Sequence, residues 1–292
     1  MNIACVHVVR AILIAVLAAF SCLVSALDGN VIEHEVSIDS DVRTALIYKP
    51  KRADSHNLTP AVIALHGGLG NAENMQSTTG FDHLAELENF VTVYPNGTGL
   101  RFLKNRRTWN AGRCCGPAVK KSVDDVTYLS RLIDDLVLNY NVDPKKVYVT
   151  GFSNGAMMAY RLACEIPDKI AAIIPVSGTL AVEHCSRANS VAVLHIHGEI
   201  DENVPVAGGE GSRSVAGVKH RSIKSTMDML LAHRGCGTPT VEESSVVSKS
   251  RYECREGADI QLLLIKNAGH VWPEEISPNK TVWDFARQFS KK

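Results

Sequence analysis

The sequence carries no excess charge of either sign. Its 31 Lys and Arg are matched by 31 Asp and Glu, so nothing supplies the basic field that nucleic acid demands, and such a partner is excluded. It has no Pro- or Ser-rich linker and no internal repeat, and its glycine content is ordinary, which removes collagen-like and low-complexity readings. It shows neither a glycine loop followed by Lys-Ser/Thr nor a dinucleotide fingerprint. Cysteine pairs with the two-residue gap of a zinc site are missing too: Cys114 and Cys115 are adjacent, so no metal is expected. Beyond the N-terminus no run is long and apolar enough to span a bilayer. What is present is 45% hydrophobic residues in 292, which is incompatible with disorder and enough to bury a large core.

Residues Met1 to Ala26 read as a secretory signal. Arg10 is the one fixed side-chain charge, the apolar run Ala11 to Phe20 is short for a membrane span, and Val24-Ser25-Ala26 offers small residues for cleavage before Leu27. An uncleaved anchor helix is the competing reading. The expected product is one exported domain over residues 27–292, extracellular or periplasmic, without membrane contact after signal removal; the oligomeric state stays open. Cysteine use agrees. Cys5 and Cys22 leave with the signal and six remain, an even number that favours disulfides in an oxidising compartment. Cys236 and Cys254 flank a polar segment and are expected to pair as a local clip. Cys114 and Cys115 are then expected to pair with Cys164 and Cys185, in an order left open.

Val31 to Ile38 and Val42 to Tyr48 alternate apolar and polar residues, as a half-exposed antiparallel pair does. Residues 61–65, 90–94, 146–150, 171–176, 191–196 and 260–265 are instead short, nearly continuous apolar runs, suited to strands buried on both faces of a parallel sheet. Helical spacing appears in Asp124 to Tyr140, where Val126, Leu129, Leu132, Ile133 and Leu136 recur on one face. It appears again in Asn154 to Glu165, Arg221 to His233 and Lys280 to Ser290. The alternation predicts an α/β sandwich: a mostly parallel sheet with antiparallel N-terminal strands and helices on both faces.

Three strand ends carry the candidate chemistry. Gly151-Phe152-Ser153-Asn154-Gly155 follows the run 146–150 and opens the helix at Asn154. A serine in such a turn projects its hydroxyl above the sheet; a serine merely capping the helix has the same local pattern, and the buried strand before it favours the nucleophile. Leu65-His66-Gly67-Gly68-Leu69-Gly70 ends another strand. Ester attack creates an oxyanion that backbone N–H groups stabilise, and Asn154 and Gly68 are the expected donors. His66 reads as a structural loop residue. The last pair of ends holds His197-Gly198-Glu199-Ile200-Asp201-Glu202 and Gly269-His270-Val271-Trp272-Pro273. A hydroxyl nucleophile needs a neutral imidazole to take its proton and a carboxylate to orient that imidazole, and Ser153…Asp201…His270 has the α/β-hydrolase order. Glu199 and Glu202 compete as acid, and His220 and His233 as base, although both histidines lie in or beside a predicted helix. His195 sits within a strand and reads as a core or interface histidine. This chemistry calls for no metal or organic cofactor.

Five separated blocks add a resemblance. Trp109-Asn110-Ala111-Gly112-Arg113-Cys114-Cys115-Gly116, Val123-Asp124-Asp125-Val126, Gly151 through Cys164, His197-Gly198…Asp201…Val204-Pro205 and Gly269-His270-Val271-Trp272-Pro273 resemble the polyhydroxybutyrate depolymerase/feruloyl esterase family. These are secreted α/β-hydrolases related to carbohydrate esterase family one. The resemblance runs from about Val31 to the C-terminus. It implies Ser153 as nucleophile, Asp201 as acid, His270 as base, Trp109 and Trp272 as substrate-binding residues, and the Cys-Cys block as a disulfide anchor near the site; much of the preference for Asp201 over Glu199 comes from it. No linker or polymer-adsorbing module of the kind that accompanies attack on solid polyester is visible. The expected partner is therefore a small-molecule or polysaccharide-linked ester, such as a feruloyl or acetyl group on a plant-wall sugar. Alternatives are a hydroxybutyrate-oligomer depolymerase, an acyltransferase, a lipase lidded by the loop Val204 to Val218, and an inactive binding protein on the same scaffold.

Overall fold

The structure is a computed structural model that describes residues 29–38, 41–54, 57–99, 102–103, 105–232, 234–255 and 258–291; the expected signal segment lies outside them. The described chain opens with an antiparallel pair, β1 (Asn30–Ile38) and β2 (Asp41–Lys49). β3 (Thr59–Leu65) leads through two short helices, α1 (Ala72–Thr79) and α2 (Phe81–Glu88), to β4 (Val91–Pro95). A small ribbon of β5 (Thr98–Gly99) and β6 (Arg107–Thr108) precedes α3 (Gly116–Lys120) and the long α4 (Asp125–Asn139). There follow β7 (Val142–Phe152), α5 (Asn154–Glu165), β8 (Ala172–Val176), β9 (Ala192–Gly198) and α6 (Ile223–Leu231). The remainder is β10 (Thr240–Glu243), β11 (Val247–Tyr252), β12 (Ile260–Ile265) and α7 (Pro278–Ala286).

Among the described residues ten strands form one sheet in the order β1-β2-β4-β3-β7-β8-β9-β12-β11-β10, parallel from β4 through β12 and antiparallel at both margins. The central strands are buried on both faces, which is why their sequences read as continuous apolar runs. Their pleat divides them between two cores. Ile63 and Leu65 pack into the layer formed with α4, α5 and α6, while Val62 and Ala64 face the layer of α1, α2 and α7. In α4 the stripe Leu129, Leu132, Ile133 and Leu136 is buried as its spacing requires, and Asp124 caps the helix by accepting from the Thr127 amide at 2.9 Å. Each such leucine contributes about 1.5–3 kcal/mol relative to exposure. This is the α/β-hydrolase architecture, with the C-terminal ends of β3, β7, β9 and β12 gathered at one edge.

The disulfides correct one expectation. Cys236 and Cys254 pair as read from sequence. Cys114 and Cys115, expected to reach Cys164 and Cys185, instead bond to each other, and Cys164 bonds to Cys185. The reason is placement: the last turn of α5 and the loop after β8 bring the Cα atoms of Cys164 and Cys185 to 4.7 Å, within bridging range. The bridge closes a sequence separation of 21, a loop worth about 3 kcal/mol to the folded state.

Candidate active site

The strand-to-helix turn holding Ser153 exists because its flanking positions have no side chains. A Cβ on Gly151 would meet the Gly155 carbonyl carbon at 2.5 Å, and one on Gly155 would meet the Leu65 carbonyl oxygen at 2.3 Å. With both absent, α5 starts hard against β7 and β3, and Ser153 sits at φ 54°, ψ −117°, anchored by its amide to Val176 O at 2.9 Å. Strain of this kind lifts the hydroxyl clear of the sheet.

Three distant loops meet there. His270 Nε2 lies 2.9 Å from Ser153 Oγ, and His270 Nδ1 lies 2.7 Å from Asp201 Oδ2. The other Asp201 oxygen accepts from the Asn203 and Val204 amides, each at 2.8 Å. Burial pushes the Asp201 carboxyl upward, but hydrogen bonds from His197 and His270, the His270 charge and the Val204 amide overcome it and hold the group well below the usual carboxylate range. Asp201 is therefore held as the anion at neutral pH. Behind it runs a buried chain in which His195 is the core histidine its strand position implies, while His197 and Tyr160 have no role assigned from sequence. His197 Nε2 lies 2.8 Å from Val204 O and 3.3 Å from Asp201 Oδ2, His197 Nδ1 lies 3.1 Å from His195 Nε2, and His195 Nδ1 lies 2.5 Å from the Tyr160 hydroxyl. The hydrogen bonds close on one pattern: the Tyr160 hydroxyl donates to His195 Nδ1, His195 Nε2–H to His197 Nδ1, and His197 Nε2–H to Val204 O.

The opposite wall is the loop after β3. Leu69 N bonds to Arg107 O and Gly70 N to Gly67 O, so those amides are committed. Gly68 lies beside the turn, with its Cβ position 3.8 Å from the Asn154 Cβ. The Asn154 amide is the first of α5 and has no acceptor within the helix. His66 braces this loop: Nδ1 lies 2.7 Å from Gly67 O, Nε2 accepts from the Gly97 amide at 3.0 Å, and the ring packs on Trp109. Burial, aided by the charges of Arg107 and Arg43 against a partly compensating bond to Gly67, lowers its pKa to about 4. An unfolded histidine titrates near 6.5, so between those values the unfolded chain binds the extra proton and stability falls as pH drops, by about 3 kcal/mol for a shift of this size. His195, also lowered by burial and by His197, adds the same sign. Melting temperature is expected to fall steeply between pH 6.5 and 4, and His66→Gln to flatten that limb while lowering stability at neutral pH; an unchanged limb would remove His66 from the account.

Above the serine opens a cavity of about 650 Å³, lined by Leu69, Met75, Phe152, Met157, Val204 and Val215 together with the polar loop atoms and, among the described residues, by no Lys, Arg, Asp or Glu. The sequence model of the phospholipase/carboxylesterase family matches residues 51–239, more than half of the chain. The chain belongs to the phospholipase/carboxylesterase family. The chain is 28% identical over 253 residues to a bifunctional acetylxylan esterase/xylanase of Neocallimastix patriciarum, covering 84% of this chain and 33% of that protein. It is 27% identical over 256 residues to feruloyl esterase B of Piromyces equi, covering 85% of this chain and 45% of the other. The chain thus spans less than half the length of these relatives. A solved acetyl xylan esterase from Aspergillus awamori aligns with TM-score 0.65 at 17% identity, covering 87% of this chain and 99% of that one; this likeness is one of fold.

For this carboxylesterase-family chain, two expected site residues are placed elsewhere. Trp109 and Trp272 do not line the catalytic cavity. Trp109 is fully buried beneath it, its backbone clamped by the Asn154 side chain at 2.7 and 3.1 Å and its indole donating to His66 O at 3.0 Å. Trp272 packs edge-on against Phe81 and donates to Asn279 at 3.2 Å. Among the competitors, Glu199 is exposed, and Glu202 points to Arg213 at 3.7 Å. His220 reaches the cavity wall but bonds neither Ser153 nor Asp201, and His233 lies outside the described residues. The loop carrying Val204 and Val215 forms the cavity rim.

Proposed function

We propose that the chain is a serine carboxylesterase with Ser153 as nucleophile, His270 as general base and acid, Asp201 as the orienting carboxylate, and the Asn154 and Gly68 amides as oxyanion donors. The observation that carries this reading is the unbroken run Ser153 Oγ–His270–Asp201 opening on a cavity that is largely apolar among the described residues. His270 Nε2 takes the hydroxyl proton as Oγ bonds to the ester carbon, and the carbonyl electrons move onto the oxygen held by the two amides. Collapse breaks the bond to the alcohol, which leaves with the proton from His270. Water then repeats the sequence on the acyl-enzyme, returning a proton to Ser153 and releasing the acid. Every proton passes through His270.

The substrates we propose are feruloyl or acetyl esters on plant-wall polysaccharide, in keeping with the acetylxylan and feruloyl esters that the two relatives' names specify. Three disulfides among the described residues support an oxidising compartment, and with it export by the segment Met1–Ala26 ahead of one catalytic domain over residues 27–292. A fluorophosphonate probe is expected to label Ser153, and methyl ferulate and acetylated xylan to be hydrolysed in preference to a hydroxybutyrate oligomer. Preference for the oligomer would move the substrate to the polyester class. No labelling and no hydrolysis would leave a binding protein in place of an enzyme.

A further inference from the structure

A second cavity, of about 250 Å³, adjoins the catalytic one and is lined in part by Arg113, Lys219, His220 and Arg221. His220 lines both cavities, and the Cys114–Cys115 disulfide stands between them, with Cys115 on the catalytic side and Cys114 on the other. The two spaces differ in charge. Some cations elsewhere face acids, as in Arg43–Asp125, Arg187–Asp168 and Lys224–Asp228, and others, such as Lys120 and Lys121, stand singly among the described residues; what distinguishes this cavity is that three of them border one space. Here, among the described residues, no Asp or Glu contributes to the lining, and Glu183, close by in sequence, is not part of it. Among the described residues the exposed side chains of Arg113 and Lys219 have neither an ion pair nor a hydrogen bond. Arg221 donates only to the carbonyls of Leu180 and Val182, at 3.3 and 3.1 Å, so no carboxylate offsets its charge. Three positive charges without a carboxylate partner among the described residues therefore border a cavity beside a reaction chamber whose described lining holds no Lys, Arg, Asp or Glu.

We propose that this second cavity is an anion subsite for a carboxylate carried on the alcohol portion of the ester. The choice of the alcohol side rests on the esterase reading: the departing oxygen must take its proton from His270, and His220 shares the wall of the catalytic cavity with His270 and leads into the basic one. A carboxylate there exchanges its hydration shell for two exposed cations and a guanidinium held by two carbonyls, and the same charges steer anionic substrate toward Ser153. Two substrate sources share this chemistry: a sugar alcohol bearing a uronic acid, and the terminal ester of a hydroxyacid oligomer, whose alcohol portion ends in a free carboxylate.

The test compares matched pairs: acetylated xylo-oligosaccharide with and without a uronic acid substituent, and a 3-hydroxybutyrate dimer as free acid and as methyl ester. The charged member of at least one pair is expected to show a kcat/KM about tenfold higher at low salt, expressed in KM, with the advantage shrinking at high salt. The pair that shows it identifies the source. In the double variant Arg113→Gln/Lys219→Gln the advantage disappears while a neutral chromogenic ester is hydrolysed at the parental rate; Arg221 is left intact because it holds two carbonyls. A charge advantage that survives the double variant, or equal rates within both pairs, overturns the subsite. Calorimetric titration of the same pairs into Ser153→Ala separates the two readings. Tighter binding of the acid, lost when Arg113→Gln/Lys219→Gln is added, upholds the subsite even if the parent hydrolyses nothing and the esterase reading fails. Equal binding within both pairs overturns the subsite even if hydrolysis is brisk.

Discussion

Replacing Ser153 by alanine lowers kcat for a short-chain chromogenic ester by about four to six orders of magnitude, with KM changed far less. The size follows from what the side chain does. Its oxygen is the one atom that bonds to the acyl carbon, and its proton is the one His270 is placed to accept at 2.9 Å. Without it, only water positioned by His270 and the two amides remains, and that residual is worth about three to four orders over the uncatalysed reaction. The fold does not depend on the hydroxyl. The Ser153 amide and carbonyl keep their bonds to Val176 O and Met157 N, and alanine at φ 54° carries the same Cβ strain that serine already bears. Unfolding curves of parent and variant should therefore nearly coincide while turnover separates them. Activity within tenfold of the parent would remove the acyl-enzyme mechanism.

How much of this could be read from the chain differs from part to part, for physical reasons. The central strands were legible because burial on both faces leaves no room for polar residues, and the Ser153 turn because Gly151 and Gly155 are required by contacts of 2.5 and 2.3 Å. β10 and β11 escaped because Thr240–Glu243 is wholly exposed and Val247–Tyr252 only half-buried, so neither shows an apolar run. α1 and α2 escaped for a related reason: each has eight residues, of which only three are buried, too few to establish a period. Trp109 illustrates a different limit. Whether an aromatic ring in such a motif meets substrate or supports the loop that does is decided by which way it packs, and the Asn154 clamp turns it inward. The same holds for His197. It stands in the block that supplies Asp201, four residues away, and a β-strand periodicity alone gives no indication that its imidazole turns back onto that carboxylate at 3.3 Å.

That environment around Asp201 makes Asp201→Asn the second-largest effect, an expected loss of about 10⁴ in kcat with the structure preserved. An asparagine has one acceptor and one donor end, and the protein dictates which goes where. The Asn203 and Val204 amides both point at Oδ1 from 2.8 Å, so the amide oxygen must take that position. The NH₂ group then occupies the place of Oδ2 and faces His270 Nδ1 at 2.7 Å and His197 Nε2 at 3.3 Å. Facing a donor, His270 must present a bare Nδ1, which moves its proton to Nε2, the nitrogen that has to be empty to accept from Ser153. His270 is thus locked in the tautomer that cannot act as base, and the carboxylate that would balance its cation in the transition state is gone. Fluorophosphonate labelling of Ser153 should slow in parallel with ester hydrolysis, since both begin with the same proton transfer. Should Asp201→Asn label and turn over at rates close to the parent, the orienting carboxylate would have to be sought elsewhere, and the convergence of Ser153, His270 and Asp201 would lose its chemical meaning.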